Sequence, residues 1–264
     1  MADELAIRLG FFLGLFALFA GLEAAFPNRG RMLPRKSRWF TNLSILVLGT
    51  VGLRLLALIL PLLAIGAALD ARTLGWGLFN MVGWPVWLEG VLAVLMLDLA
   101  IWCQHLITHR VPLFWRFHRV HHADRDMDVT TALRFHPAEI AASMILKIGL
   151  IYLIGPAAVA VLVFEVLLNG TALFNHANLR LPAGLSRMLG WFIVTPDMHR
   201  IHHSVERADH DRNFGFALSV WDRVFGTLRA EPEGGDQGLR IGLEWQDTRP
   251  ARLGWSLLLP FQRK

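Results

Sequence analysis

Apolar runs separated by short polar segments dominate the chain. The first extends from Ala6 to Phe26, the second from Phe40 to Gly66 and the third from Gly83 to Gln104. Each is near the ~20 residues that an α-helix needs to cross a bilayer. A further apolar segment, Glu139 to Phe174, is interrupted at Gly155-Pro156. Proline breaks a helix and glycine permits a turn, so this segment is read as two helices forming a hairpin. The pattern predicts an all-α integral membrane protein with about three transmembrane helices plus this broken hairpin. From Arg180 onward the chain is mixed in character, with a Pro/Gly/acid-rich patch at Glu231 to Gly235 and a basic tail carrying Arg249, Arg252, Arg263 and Lys264.

Composition agrees: 54% hydrophobic content and a mean hydropathy of +0.44 are too apolar for an ordinary soluble domain. A net charge of +5 raises the question of nucleic acid. The basic residues, however, gather in short segments between apolar runs, where the positive-inside rule explains them. Pro27 to Arg38 holds Arg29, Arg31, Arg35, Lys36 and Arg38 with no acid, which marks a cytoplasmic loop. The loop after the second run carries only Asp70 and Arg72 and belongs on the opposite side. The third run then returns to the cytoplasmic face. Asp3 and Glu4 precede the first run where a cleavable leader would carry positive charge, so a retained helix is expected. The basic runs Arg29 to Arg38 and Arg110 to Arg125 are expected to meet anionic lipid head groups, and they can also dock an acidic electron donor. Trp76, Trp84, Trp87, Trp102, Trp115 and Trp191 are assigned mostly to membrane boundaries. The single cysteine, Cys103, excludes an intramolecular disulfide and a cysteine-based metal site.

Eight of the eleven histidines fall in three clusters at the ends of these runs. They are His105 and His109 in HLITH, His118, His121 and His122 in HRVHH, and His199, His202 and His203 in HRIHH. Spacings of three and four residues place helical side chains on one face, so each cluster can present its imidazoles in one direction. Tetrahedral zinc takes four ligands, and eight imidazoles point instead to a pair of metals; nitrogen donors also suit iron. The hairpin brings the third cluster back to the side of the first two. Ligating imidazoles need a partner for their second nitrogen. Asp98, Asp124, Asp197, Asp211, Asn213 and Asp222 are near enough in sequence to serve. His210 is assigned to the Asp211–Asn213 turn or to solvent. Glu165 and Asn169, four residues apart in an apolar helix, either line a cavity or pair at an interhelical contact.

The order HxxxH, HxxHH, HxxHH is accompanied by RFHP at Arg134 to Pro137, NHAN at Asn175 to Asn178, NFG at Asn213 to Gly215 and WDRVFGT at Trp221 to Thr227. Together they resemble the sterol desaturase and fatty acid hydroxylase superfamily over roughly Asp98 to Thr227, about half of the chain. The resemblance implies a membrane-bound di-iron oxygenase that uses O2 and two external electrons to hydroxylate, more readily than desaturate, a lipid such as a sterol or fatty acyl chain. It implies the eight clustered histidines as ligands to two iron ions, completed by His176 and by His136, with zinc as a substitute in purified material. A separate electron donor, a lipid substrate, O2 and membrane lipids are the expected partners, and nucleic acid is not. The expected organisation is a single domain over residues 1–264. Residues 1–97 form the transmembrane anchor, 98–227 the catalytic core in a cytoplasmic helical cap, and 228–264 a cytoplasmic tail. The expected location is a bacterial inner membrane, histidine boxes facing the cytoplasm. WDRVFGT is read as a structural turn with Arg223 on a carboxylate. The alternative is a non-catalytic histidine-rich metal-binding or metal-transport protein. A zinc hydrolase fits poorly, because no HExxH motif is present.

Overall fold

Proline and glycine set most of the helix boundaries. The computed structural model describes residues 2–59 and 63–262. Within them lie α1 (Ala2–Ala25), α2 (Arg35–Ile59), α3 (Ala64–Leu74), α4 (Leu78–Met81), α5 (Val86–Arg110), α6 (Pro112–His122) and α7 (Pro137–Ile154). They are followed by α8 (Ala158–His176), α9 (Ala183–Leu189), α10 (Pro196–His202), α11 (Arg207–His210), α12 (Val220–Val224), α13 (Gly235–Gly238) and α14 (Leu253–Leu258). Among the described residues five helices are long and apolar enough to cross a membrane: α1, α2, α5, α7 and α8. Their outer faces leave Phe11, Leu13, Val51, Leu55 and Leu153 exposed. So much outward apolar surface suits lipid rather than water. The protein is an integral membrane protein with an all-helical fold.

The predicted break stands at Gly155, which caps α7 in a left-handed conformation (φ 69°) and donates to Ile151 O at 2.8 Å. A Cβ there would meet Asn80 Nδ2 at 2.6 Å and Trp76 O at 2.7 Å, so glycine is required for space as well. The two arms pack mainly on other helices: α7 on α2 and α3, α8 on α1, α5 and α3. The small buried side chains Ala64, Ala67 and Ala68 of α3 fit against Ile151 of one arm and Val161 of the other. The second apolar run also differs from expectation. Its helix begins at Arg35 and ends at Ile59, and α3 follows as a separate element. Leu60 to Leu62 of that run lie outside the described residues.

The basic segment expected to face lipid and a donor is largely consumed by internal pairs. Arg38, 1% exposed, grips Asp124 through two bonds of 2.8 Å and Asp128 through one of 2.7 Å. Burial alone would raise the Asp124 carboxyl, but Arg38 overrides it and holds the group far below the usual carboxylate range. Arg35 bonds Glu23 at 3.0 Å, and Arg31 lies 3.8 Å from the same carboxylate. Glu23 also accepts from the N–H groups of Val129 and Asn178, tying the end of α1 to the segments that follow α6 and α8. The tail likewise folds back: Leu239, Ile241, Leu243 and Leu259 are buried, and buried Arg134 donates to Pro250 O and Ser256 Oγ. Arg263 and Lys264 lie outside the described residues.

Candidate metal centre

Three helices that carry or adjoin histidines start at a proline. Pro112 opens α6, and the preceding Val111 is extended (φ −97°, ψ 116°), as a residue before proline prefers. The chain therefore turns sharply between HLITH at the end of α5 and HRVHH in α6, and the two helices pack together. Pro137 opens α7 behind His136, and Pro196 opens α10 behind Thr195, whose hydroxyl caps the Met198 N–H.

The histidines gather into two adjoining groups. His105, His109, His118, His122 and His202 form one; His121, His176, His199 and His203 form the other. Within each group one potential ligand atom per residue lies within 4.8 Å of every other, and all nine residues are buried. The rings of His122 and His203 stack across the boundary with centroids 4.5 Å apart. The boxes do not map one to one onto the groups. In α6, His118 and His122 serve the first and His121 the second; in α10 and its C-cap, His199 and His203 serve the second and His202 the first. At 3.6 residues per turn, positions i and i+4 lie about 40° apart while i+3 lies about 60° to the other side. Each four-residue pair thus stays together, and the i+3 histidine reaches across.

Several rings are oriented by a partner on Nδ1. His105 Nδ1 lies 2.8 Å from Phe214 O, His202 Nδ1 2.7 Å from Arg212 O, and His176 Nδ1 2.7 Å from Ala172 O. His118 Nδ1 lies 2.6 Å from Glu139 Oε1. Donating there fixes the tautomer and leaves a lone pair on Nε2. Those Nε2 atoms nevertheless face one another: His105 is 3.0 Å from His202 and 3.2 Å from His118, and His176 is 3.1 Å from His121 and 3.0 Å from His199. His109, His122 and His203 have both ring nitrogens buried without a partner. Burial first, then the neighbouring imidazoles, pushes His121, His122, His199, His202 and His203 well below the ordinary histidine range. Convergent lone pairs on neutral imidazoles repel unless a cation sits among them, so the donor set fits a metal in each group.

Most of the acids expected to orient the rings are elsewhere; Asp211 alone stays beside His109 and His210. Asp98 accepts from Trp221 Nε1 at 2.8 Å and Leu218 N at 3.3 Å. Asp197 pairs with Ser186 and Arg200, and Asp124 with Arg38. Asp211 Oδ1 stands 3.6 Å from His109 Nδ1, beyond hydrogen-bond range. Asn213 and Asp222 act through the backbone. Asn213, at φ 53°, lies between the two residues whose carbonyls meet His202 and His105. Asp222 accepts from Phe214 N at 2.9 Å, Gly215 N at 2.7 Å, Trp102 Nε1 at 3.0 Å and Thr227 Oγ1 at 2.6 Å, which holds the NFG turn in place. Trp102 is thus a buried structural residue. Arg223 donates to Gly190 O and lies over the Trp191 ring instead of binding a carboxylate.

His136 falls outside both groups: its Nδ1 accepts from Ala138 N at 3.1 Å as the cap of α7. His210 departs the other way. It is buried, with its ring centroid 5.1 Å from His109 and 5.2 Å from His122, at the rim of the first group. No helical spacing announces it, because the separate helix α11 delivers it. Glu139, 21 residues beyond His118, had no local signal either.

A cavity of about 320 Å³ reaches His105 and His118 from between the spans. Ile101, Phe135, Ile140, Met144, Leu168 and Phe216 supply apolar walls, and Glu139 stands beside the histidines. At the far end Glu165 pairs with Lys147 at 2.8 Å and with Arg8. Glu165 and Asn169 therefore both line this cavity.

A family model described as fatty acid hydroxylase matches residues 90–227. An alkylglycerol monooxygenase of Homo sapiens is 31% identical over 146 residues, covering 53% of this chain and 31% of that protein. An ornithine lipid hydroxylase of Rhizobium tropici is 28% identical over 149 residues, 56% of this chain and 44% of the relative. A cholesterol 25-hydroxylase of Homo sapiens is 24% identical over 139 residues, 52% and 49% respectively. The matches span about a third to a half of these relatives' lengths. No solved structure matches the chain. The matched segment takes in just over half of the sequence and all nine grouped histidines, and this chain belongs to the fatty acid hydroxylase family.

Proposed function

We propose that this protein is an O2-dependent di-iron hydroxylase of a membrane lipid. The carrying observation is the pair of adjoining buried histidine groups with an intramembrane cavity ending on one of them. His105, His109, His118, His122 and His202 would hold one iron, and His121, His176, His199 and His203 the other. Bound iron supplies the redox activation of O2 that attack on an unactivated C–H bond requires and side chains lack. Zinc in purified protein would be a substitute. The relatives' names favour this reading over metal transport, since each is a hydroxylase or monooxygenase.

The chain's own residues position and insulate. Phe214 O, Arg212 O, Ala172 O and Glu139 fix four imidazoles in the tautomer that offers Nε2. Phe135, stacked on His121 at 4.3 Å, and Phe216, lining the cavity, exclude water beside the histidines. The apolar walls let a lipid chain approach without leaving hydrocarbon-like surroundings, and along α7 Lys147 lies ~12 Å beyond Glu139 at 1.5 Å per residue. A cavity of that reach holds a chain segment beside His105 and His118. Electrons would come from a separate donor on the side of the histidines, taken as cytoplasmic on the positive-inside reading of the basic loop. A bacterial inner membrane is the location adopted. Expression in a lipid-producing host under 18O2, followed by mass spectrometry of extracted lipids, tests the activity. One 18O per product molecule, absent with His202→Ala, is the expected result; no new oxygenated lipid across sterol, ether-lipid and acyl-lipid hosts would refute it.

A further inference from the structure

A second cavity of about 320 Å³ lies among the segment before α2, the segment after α6, α10 and the returning tail, and it shares no lining residue with the one between the spans. Five arginines from separate segments form its wall: Arg29 and Arg31 before α2, Arg125 after α6, Arg200 in α10 and Arg240 in the returning tail. The carboxylate among them, Asp126, already accepts from Met32 N at 2.9 Å and Leu33 N at 2.6 Å. Arg31, Arg200 and Arg240 pair with Glu23, Asp197 and Glu206. Arg29 and Arg125 differ. Among the described residues neither makes a close ion pair; Arg29 donates to Leu239 O at 2.5 Å, and Arg125 to Asp247 O at 3.0 Å and to Met32 Sδ at 3.7 Å, with the Asp247 carboxylate also feeling its charge. Each also has a buried nitrogen with no partner, Arg29 Nη1 and Arg125 Nε.

Arg29 and Arg125 are themselves partly exposed, but an unmet buried donor on a cation is still costly, and a guanidinium fork matches phosphate geometry. We propose that this cavity binds a phosphate-bearing ligand on Arg29 and Arg125, either a soluble phosphate or an anionic phospholipid head group. The small concave volume favours such a group over a protein surface. The site is also linked through the backbone to the segment that carries His203. Gly242, at φ 105°, donates to His203 O at 3.1 Å, and a Cβ on it would lie 3.3 Å from Arg125 Cγ. Arg240 O accepts from Val205 N at 2.8 Å on the other side of the same contact. A ligand that fixes Arg125 therefore bears on the segment holding His203.

The test is isothermal titration of inorganic pyrophosphate into the purified protein in maltoside micelles, with and without iron, so that the result does not depend on the hydroxylase reading. One site per chain is expected, weakening as salt rises. Arg29→Gln and Arg125→Gln should each lower affinity at least about tenfold, Arg125→Lys should lower it less, and Arg187→Gln, outside the cavity, should leave it unchanged. Unaltered circular dichroism and iron content exclude misfolding; if either glutamine variant misfolds, Arg125→Lys carries the comparison. Dihexanoyl phosphatidic acid displacing pyrophosphate with higher affinity assigns the lipid head group, and the reverse order assigns a soluble phosphate. No saturable binding of either probe, equal binding by the wild type and both glutamine variants, or binding only of an acidic ferredoxin without competition by pyrophosphate, would overturn the proposal.

Discussion

Removing the Glu139 carboxylate should weaken one metal and spare the other. Glu139 Oε1 lies 2.6 Å from His118 Nδ1, and His118 Nε2 points toward His105 within the five-histidine group. Partners of this kind are worth roughly 10–100-fold in metal affinity, about 1.4–2.8 kcal/mol. The range agrees with the ~1.5–3 kcal/mol of a hydrogen bond to a charged group. Glu139→Ala leaves the other four histidines of that group in place, His105 and His202 still held by backbone carbonyls, and all four of the second, so binding should weaken without collapsing. Glu139→Gln keeps an acceptor oxygen and should fall between wild type and Ala. The assay is competition of iron(II)-loaded protein against a graded chelator series, with metal counted by mass spectrometry. In the Ala variant one iron equivalent should leave about 10–100-fold more readily while the other titrates as in wild type. Loss of a helix-first-turn acid contributes only ~0.3–1 kcal/mol to stability, so the thermal midpoint should move little. Identical titrations for wild type and Glu139→Ala, or equal weakening of both equivalents, would refute the assignment of Glu139 to a single group.

Arg38→Met strands Asp124 and Asp128 in the interior and should cost about 3–5 kcal/mol, read as a lowered thermal midpoint in detergent; an unchanged midpoint contradicts this. Asp222→Asn should lower stability by ~1–3 kcal/mol and loosen iron at the group containing His105, because the NFG turn loses its charged anchor; full retention of both in a chelator titration would show that the turn holds itself. Metal-free protein should lose stability in acid. His121, His122, His199, His202 and His203 have folded pKa values below the unfolded ~6.5, so below that pH the unfolded chain binds more protons and unfolding is favoured. Each contributes a slope of up to ~1.4 kcal/mol per pH unit, from about pH 6.5 down to its folded pKa. Chemical unfolding between about pH 7.5 and 5.5 reads it, and a flat profile would mean that these imidazoles are not held neutral.

Nearest-neighbour chemistry is what the sequence displayed well. The spans showed as runs, the hairpin break as Gly155-Pro156, and eight histidines as three- and four-residue spacings. Their division between two groups was hidden, because it depends on how α5, α6 and α10 cross. The orienting partners were hidden for a related reason: three are backbone carbonyls, which no side-chain pattern reports, and Glu139 lies across a loop in another span. Proximity in sequence instead suggested Asp98 and Asp197, which the fold assigns to Trp221 and to Ser186 and Arg200. Arg38 read as part of a basic loop facing lipid head groups or an electron donor, since its partner Asp124 is 86 residues away. His136 shared its motif with no ligand-like spacing and became a cap, whereas His210 came to the rim of the first histidine group by tertiary packing alone.

Metal identity and stoichiometry decide most directly whether the two histidine groups form a di-iron site. The protein should be purified anaerobically from iron-57-replete cells, its metals counted, and Mössbauer spectra recorded before and after O2. Two irons per chain with a coupled diferric signal after O2, reduced to at most one iron by His202→Ala or His121→Ala, is the predicted result. Tightly bound zinc that iron cannot replace, or two irons retained in both variants, would contradict it.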